Sequence, residues 1–235
     1  MRKSLANVFK NKWKNKLRLL CNIINGLDSI HQLKFVHRDF HDGNILYHDN
    51  LIRISDLGLS QPVSSEKNNI YGIISFTTPK VLRSQPYSLA SDIYSFSITM
   101  WEFTSGILSF NDRNYDFYLI ESICKGKYLE IIENTPQCYI NLMKRCWDDD
   151  PPKRPTASEI SDTLTNWIDG LEGFMFNEKL GYNVMEFNQA DTLPTFEYYP
   201  KDNESRPLYS EKLNDILEEN SGLDEIGIQD IGNNH

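Results

Sequence analysis

Three oxygen-bearing side chains stand close together in this sequence. Asp39 and Asn44 lie in the run His37-Arg38-Asp39-Phe40-His41-Asp42-Gly43-Asn44, and Asp56 opens Asp56-Leu57-Gly58 twelve residues further on. A loop carboxylate can orient a hydroxyl and accept its proton, a role open to Asp39. An amide oxygen and a second carboxylate are hard ligands, suited to the divalent cations that neutralise phosphate charge. These are the groups that phosphoryl transfer needs. Arg38 adds a cation beside the carboxylate. His41 adds a ring that donates when protonated, although a hydrogen-bonded loop histidine is an equally good reading.

Positioning these groups falls to the elements between and around them. Ile45-Leu46-Tyr47 and Leu51-Ile52-Arg53-Ile54 read as two short strands joined by a turn, a hairpin that returns Asp56 to Asn44. Upstream, Leu17, Leu20, Cys21, Ile24 and Leu27 recur at helical spacing, so residues 12–33 read as an amphipathic helix leading into the loop. Residues 56–80 lack periodicity. Residues 91–104 are apolar almost all round, which predicts a buried helix, with Gly106 as its stop. Helices are also expected over 114–125 and 136–147. A last one starts at Thr156-Ala157-Ser158-Glu159, a capping box.

In these motifs the chain resembles the protein kinase family, and more closely its tyrosine-kinase-like group. The H-R-D-x-x-x-x-N loop and the D-x-G carry the resemblance. So do Leu89–Gly106, like the long buried helix of the kinase large lobe, and Leu142–Ile160, like its last two helices. The likeness runs over about residues 3–168. It implies a mainly α fold, the protein-kinase-like large lobe, with a helical bundle and a small β-hairpin. It implies Asp39 as base, Asn44 and Asp56 as Mg²⁺ ligands, and ATP as phosphoryl donor. Leu46 would lie under the adenine, or simply face the core. Gly58 would let the chain turn beside the metal. His41 stands where serine/threonine kinases often carry a lysine that contacts the phosphate. His37 belongs to the loop's framework, and Asp92 would hold the loop's backbone. Arg38 would pair with a phosphorylated activation segment, for which Ser64, Ser65, Tyr71 and Thr77 are candidate sites. Ile73 replaces a threonine common in serine/threonine kinases. The lean is still to serine/threonine transfer, with tyrosine less favoured.

Two features depart from the family. Only 38 residues precede Asp39, with Gly26 the one glycine among them, whereas a kinase small lobe takes roughly a hundred residues with a Gly-rich loop and a strand lysine. The expectation is a large lobe with its small lobe absent, inactive by itself. The alternative is a non-catalytic, pseudokinase-like interaction module. The second departure is Thr78-Pro79-Lys80 in place of A-P-E, which sets Lys80 rather than an acid opposite Arg154. An unpaired buried arginine is costly unless an acid such as Asp148, Asp149 or Asp150 substitutes, so with Arg154 buried Lys80→Glu would be expected to add about 1–3 kcal/mol.

Composition bounds the rest. The chain has 235 residues and a net charge of −9. Residues 171–235 hold 14 Asp or Glu and 4 Lys or Arg, a net of −10. They are expected to form an acidic disordered tail after a kinase domain over 1–170, with one helix near Glu211–Glu219. Such a charge argues against nucleic-acid or anionic-membrane partners and leaves a protein substrate or partner. The first twenty residues hold seven Lys or Arg and no acid, read as a solvated helix face rather than a transit peptide. Four cysteines without a C-x-x-C pair suit free thiols in a reducing compartment, so a cytoplasmic signalling protein is expected.

Overall fold

The computed structural model describes residues 12–48, 51–65, 70–110, 116–127, 129–175 and 177–192. The apolar stripe of the first helix becomes α1 (Trp13–Gln32), with Leu17, Leu20, Ile23, Ile24 and Leu27 fully buried. Its solvated face is narrower than the charge count suggested. Lys14 and Arg18 pair with Glu172, but Lys16 is buried, its ammonium 5.2 Å from the Trp13 ring centroid. The alkyl stem covers apolar surface there.

Two antiparallel strand pairs flank the loop. The expected hairpin is β2 (Ile45–His48) with β3 (Leu51–Ile54), in register Ile45↔Ile54. A second pair, β1 (Phe35–Val36) with β4 (Gln61–Pro62), was not legible as periodicity because each strand has two residues. It ties the start of the Asp39 loop to the segment after Asp56.

The other elements are helices: α2 (Pro79–Leu82), α3 (Leu89–Ser105), α4 (Phe117–Cys124), α5 (Gln137–Cys146), α6 (Ala157–Glu172) and α7 (Glu178–Ala190). As its composition requires, α3 is buried on every side, and Gly106 ends it in the left-handed conformation. Tyr139 of α5 donates its hydroxyl to Met100 O of α3 at 2.8 Å. Thr156 and Glu159 close the expected capping box on α6. The result is mainly α with a small β-hairpin. No helix among the described residues is long and apolar enough to cross a membrane.

The packed unit does not stop at residue 170. The expectation of a solvated tail fails for α7, which lies against α6, α1 and α5. Phe187 is wholly buried, 5.4 Å from Trp13 and 5.3 Å from Trp167 between ring centroids. Gly170 makes room for the crossing, since a Cβ there would come within 2.9 Å of Leu180 and Val184. Two carboxylates of this last stretch cap other helices. Asp191 accepts from Trp13 N at 2.8 Å and Glu186 from Cys138 N at 2.9 Å. An acid at a helix N-terminus satisfies an orphan amide and suits the macrodipole. The helix expected near Glu211–Glu219 lies outside the described residues.

Candidate active site

Asp39 is held from three directions. Asn44 Nδ2 donates to its main-chain oxygen at 2.9 Å and to its carboxylate at 3.2 Å. His37 Nδ1 accepts from Asp39 N at 3.3 Å while its Nε2 donates to Ser55 O at 3.1 Å. Beneath them, buried Asp92 accepts from His37 N at 2.8 Å, Arg38 N at 3.0 Å and His31 Nε2 at 2.9 Å. These bonds brace the backbone at Arg38, whose φ of 71° lies in the left-handed region and is costly for a side-chain-bearing residue.

The hairpin brings the second carboxylate back. Ser55 donates both its amide, at 2.8 Å, and its hydroxyl, at 3.0 Å, to Asn44 O. Asp56 follows directly and is exposed. The sharp turn sits on Asp56 itself (φ 60°), not on Gly58, which lies in a short 3₁₀ turn over Leu57–Leu59. Gly58 therefore does not supply the backbone freedom expected of it. Leu46 is half-buried and lies outside the core that takes Ile45.

His41 is buried within the loop. Its Nε2 lies 3.6 Å from an Asp39 oxygen and its Nδ1 3.8 Å from Asp42. Burial pushes the imidazole down, but the two carboxylates outweigh it and raise its pKa from 6.5 to about 9. Burial likewise pushes Asp39 up, and His41 with Asn44 carries it below the ordinary carboxylate value. The two titrate as a pair. Gly43 N donates to His41 Nδ1 at 3.0 Å, a bond that only the neutral ring accepts. Protonation therefore trades this bond for the carboxylates. A folded value above the unfolded one means stabilisation complete below about pH 6.5 and lost as the pH rises through about 9. His41→Gln should thus melt lower than the parent at pH 6, by a gap on the order of 3 kcal/mol. That gap should close above pH 9. Thermal melts across this range check it, and a gap independent of pH contradicts it.

Arg38 is buried with its guanidinium 4.5 Å from the Tyr87 ring centroid and 5.5 Å from that of Tyr71. The four hydroxyls expected as phosphorylation sites differ in access. Ser64 is exposed. Ser65 is half-buried and donates to Gln61 at 2.5 Å. Tyr71 is half-buried, and Thr77 is buried with its hydroxyl donating to Ile73 O at 3.0 Å. Thr77 is reachable only if that turn opens.

Arg154 does not lack partners. It donates to Asp148 O and Ala90 O at 2.8 Å each, reaches Thr78 Oγ1 at 3.4 Å and faces the Tyr94 ring. Carbonyls replace the missing acid. Lys80 points to solvent, 3.8 Å from Asp150. Lys80→Glu is therefore expected to lower stability slightly, by about 0.5 kcal/mol, through loss of an exposed pair and repulsion from Asp150. Arg154→Ala should cost about 3 kcal/mol or more, since buried acceptors lose their donor. Denaturation midpoints of the two variants check this ordering.

Two residues of this site were missed in the sequence. Gly72 (φ 101°) passes so close to the loop that a Cβ there would lie 3.0 Å from Asp39 Oδ1. Its signal was its isolation, as the one glycine between Gly58 and Gly106. Tyr87, stacked on Arg38, carries no pattern that marks it.

Residues 3–164 match the family described as protein tyrosine and serine/threonine kinase. The chain belongs to the protein kinase family. Its similarity to rat mitogen-activated protein kinase kinase kinase 12 is 29% identity over 141 residues, 59% of this chain and 16% of that protein. Mouse mitogen-activated protein kinase kinase kinase 13 is 30% identical over 137 residues, 57% of this chain and 14% of that one. A serine/threonine/tyrosine-protein kinase of Arabidopsis thaliana is 28% identical over 154 residues, 64% of this chain and 40% of the relative. These are kinases of the tyrosine-kinase-like kind, and the chain spans well under half the length of each. The kinase match covers part of the domain, and the fold is that of its large lobe. Helix α7 lies beyond the match.

Proposed function

We propose that this lobe supplies the base and the metal ligands of an ATP-dependent protein kinase acting on serine or threonine of protein substrates. The observation that carries the reading is the double hold of Asn44 on Asp39, with Ser55 returning Asp56 to the same place. Asp39 orients the acceptor hydroxyl and takes its proton. Its depressed pKa keeps it ionised for that task. Asn44 spends its amide nitrogen on Asp39, which leaves the amide oxygen for a cation. With the exposed Asp56 carboxylate it forms a hard, all-oxygen donor pair that fits Mg²⁺. When bound, Mg²⁺ neutralises charge on the ATP phosphates during transfer.

A kinase nucleotide is gripped between two lobes, and the described residues form one of them. Transfer is therefore expected when a small lobe is joined to this chain, and ATP binding to the chain alone should be weak. The contact of Arg154 with carbonyls removes one support of the non-catalytic alternative, because the end of the activation segment is anchored without an acid at position 80. The serine/threonine preference is supported by the absence of a tyrosine-kinase Ala/Arg pattern in the loop.

The metal arm has its own test. In a fusion carrying a small lobe, Mn²⁺ bound together with ADP is read by electron paramagnetic resonance. Asp56→Asn should weaken that metal binding at least about tenfold, the loss of one charged ligand. Equal affinity would remove Asp56 from its assigned role.

A further inference from the structure

The resemblance implies that Arg38 would grip a phosphate on the activation segment. Here two tyrosine rings lie against that guanidinium. Tyr87 stands at 4.5 Å and Tyr71 at 5.5 Å, within the range of cation–π attraction. The Tyr87 hydroxyl then makes an unusual pair of bonds. It donates to Tyr71 O at 2.7 Å and accepts from Tyr71 N at 3.0 Å. Both main-chain groups of one activation-segment residue are thus held by one side chain. Burial raises the Tyr87 pKa further above its ordinary value, so the hydroxyl keeps the proton it donates. The next residue is Gly72, where a Cβ would lie 3.0 Å from Asp39 Oδ1. Beside it remains a cavity of only about 10 Å³, lined by Asp39, Gly72, Ile73 and Tyr87 among others.

We propose that Tyr87 is a positioning residue that holds the activation segment at Tyr71–Gly72 against the catalytic loop, so that order at this point requires no phosphate. Arg38 serves as the platform for the rings, and the Tyr87 hydroxyl fixes the backbone that passes over Asp39. The proposal takes its functional meaning from the kinase reading. Its test reads order and not transfer, so the two stand or fall separately.

The test is hydrogen exchange, residue-resolved by NMR, on the full chain after phosphatase treatment, with mass spectrometry confirming that no phosphate remains. The Tyr71 amide should exchange at least about a hundredfold more slowly than an unstructured amide. Tyr87→Phe keeps the ring over Arg38 and removes both bonds to Tyr71. It should speed exchange of the Tyr71 amide about tenfold and lower the melting temperature modestly, while amides of α3 and α6 speed up by no more than that factor. Fast exchange at Tyr71 in the phosphate-free parent overturns the proposal, and this reading needs no variant to fold. So does protection that appears only with added inorganic phosphate or after phosphorylation. A Tyr71 amide that exchanges as slowly in Tyr87→Phe as in the parent also overturns it, since the hydroxyl would then hold nothing in place.

Discussion

A chain ending at Gly173 should unfold far more easily than the full chain, or fail to stay soluble. Removing α7 strips Phe187 from between Trp13 and Trp167 and uncovers Leu180's site over Gly170. Loss of the buried phenyl ring alone costs about 3–5 kcal/mol. The same cut removes the carboxylates that cap α1 and α5 at Trp13 and Cys138, each cap adding about 1 kcal/mol. Domains of this size have only about 5–15 kcal/mol of stability in total. Phe187→Ala isolates the packing part and should lower the unfolding free energy by about 3–5 kcal/mol. Urea denaturation of both proteins measures it. Unchanged midpoints would mean that α7 rests on the lobe without supporting it.

That outcome bears on how far the sequence could be read. The Asp39 loop, the hairpin and the buried α3 were legible because each depends on local pattern. Asp39, Asn44 and Asp56 are spaced by one loop and one hairpin, and α3 has no polar face to turn outward. Helix α7 was obscured by averaging. Leu180, Val184 and Phe187 do recur at helical spacing, but they sit in a stretch whose net charge of −10 over 171–235 reads as solvated. Its acids are not merely solubilising, since Glu186 and Asp191 each find a helix terminus. Arg154 misled for a different reason. Sequence shows which side chains can pair, and a carbonyl partner such as Ala90 O or Asp148 O leaves no trace in residue type. The turn beside Asp56 is expected at Gly58 because glycine takes a left-handed conformation without strain. The structure puts it on Asp56, one of the residue types that tolerate that region.

Asp39 is held as the proposed base role requires. Two bonds from Asn44 fix its position, Asp92 fixes the backbone before it, and His41 favours its charged form. Asp39→Asn preserves size and removes the proton acceptor. General-base catalysis and hydroxyl positioning contribute about 10²–10⁴-fold, so in a fusion carrying a small lobe the variant should lose that much in kcat with KM for ATP little changed. Asp92→Asn would blur the same test, because it weakens three buried hydrogen bonds at once.

The most direct measurement is transfer of the γ-phosphate of ATP to a protein substrate by this chain joined to a kinase small lobe, with and without Asp39→Asn. Phosphoserine or phosphothreonine formed by the parent, and at least a hundredfold less by the variant, is the predicted result. No transfer by the parent fusion, or equal transfer by both proteins, would contradict the assignment of this lobe as the catalytic half of a protein kinase.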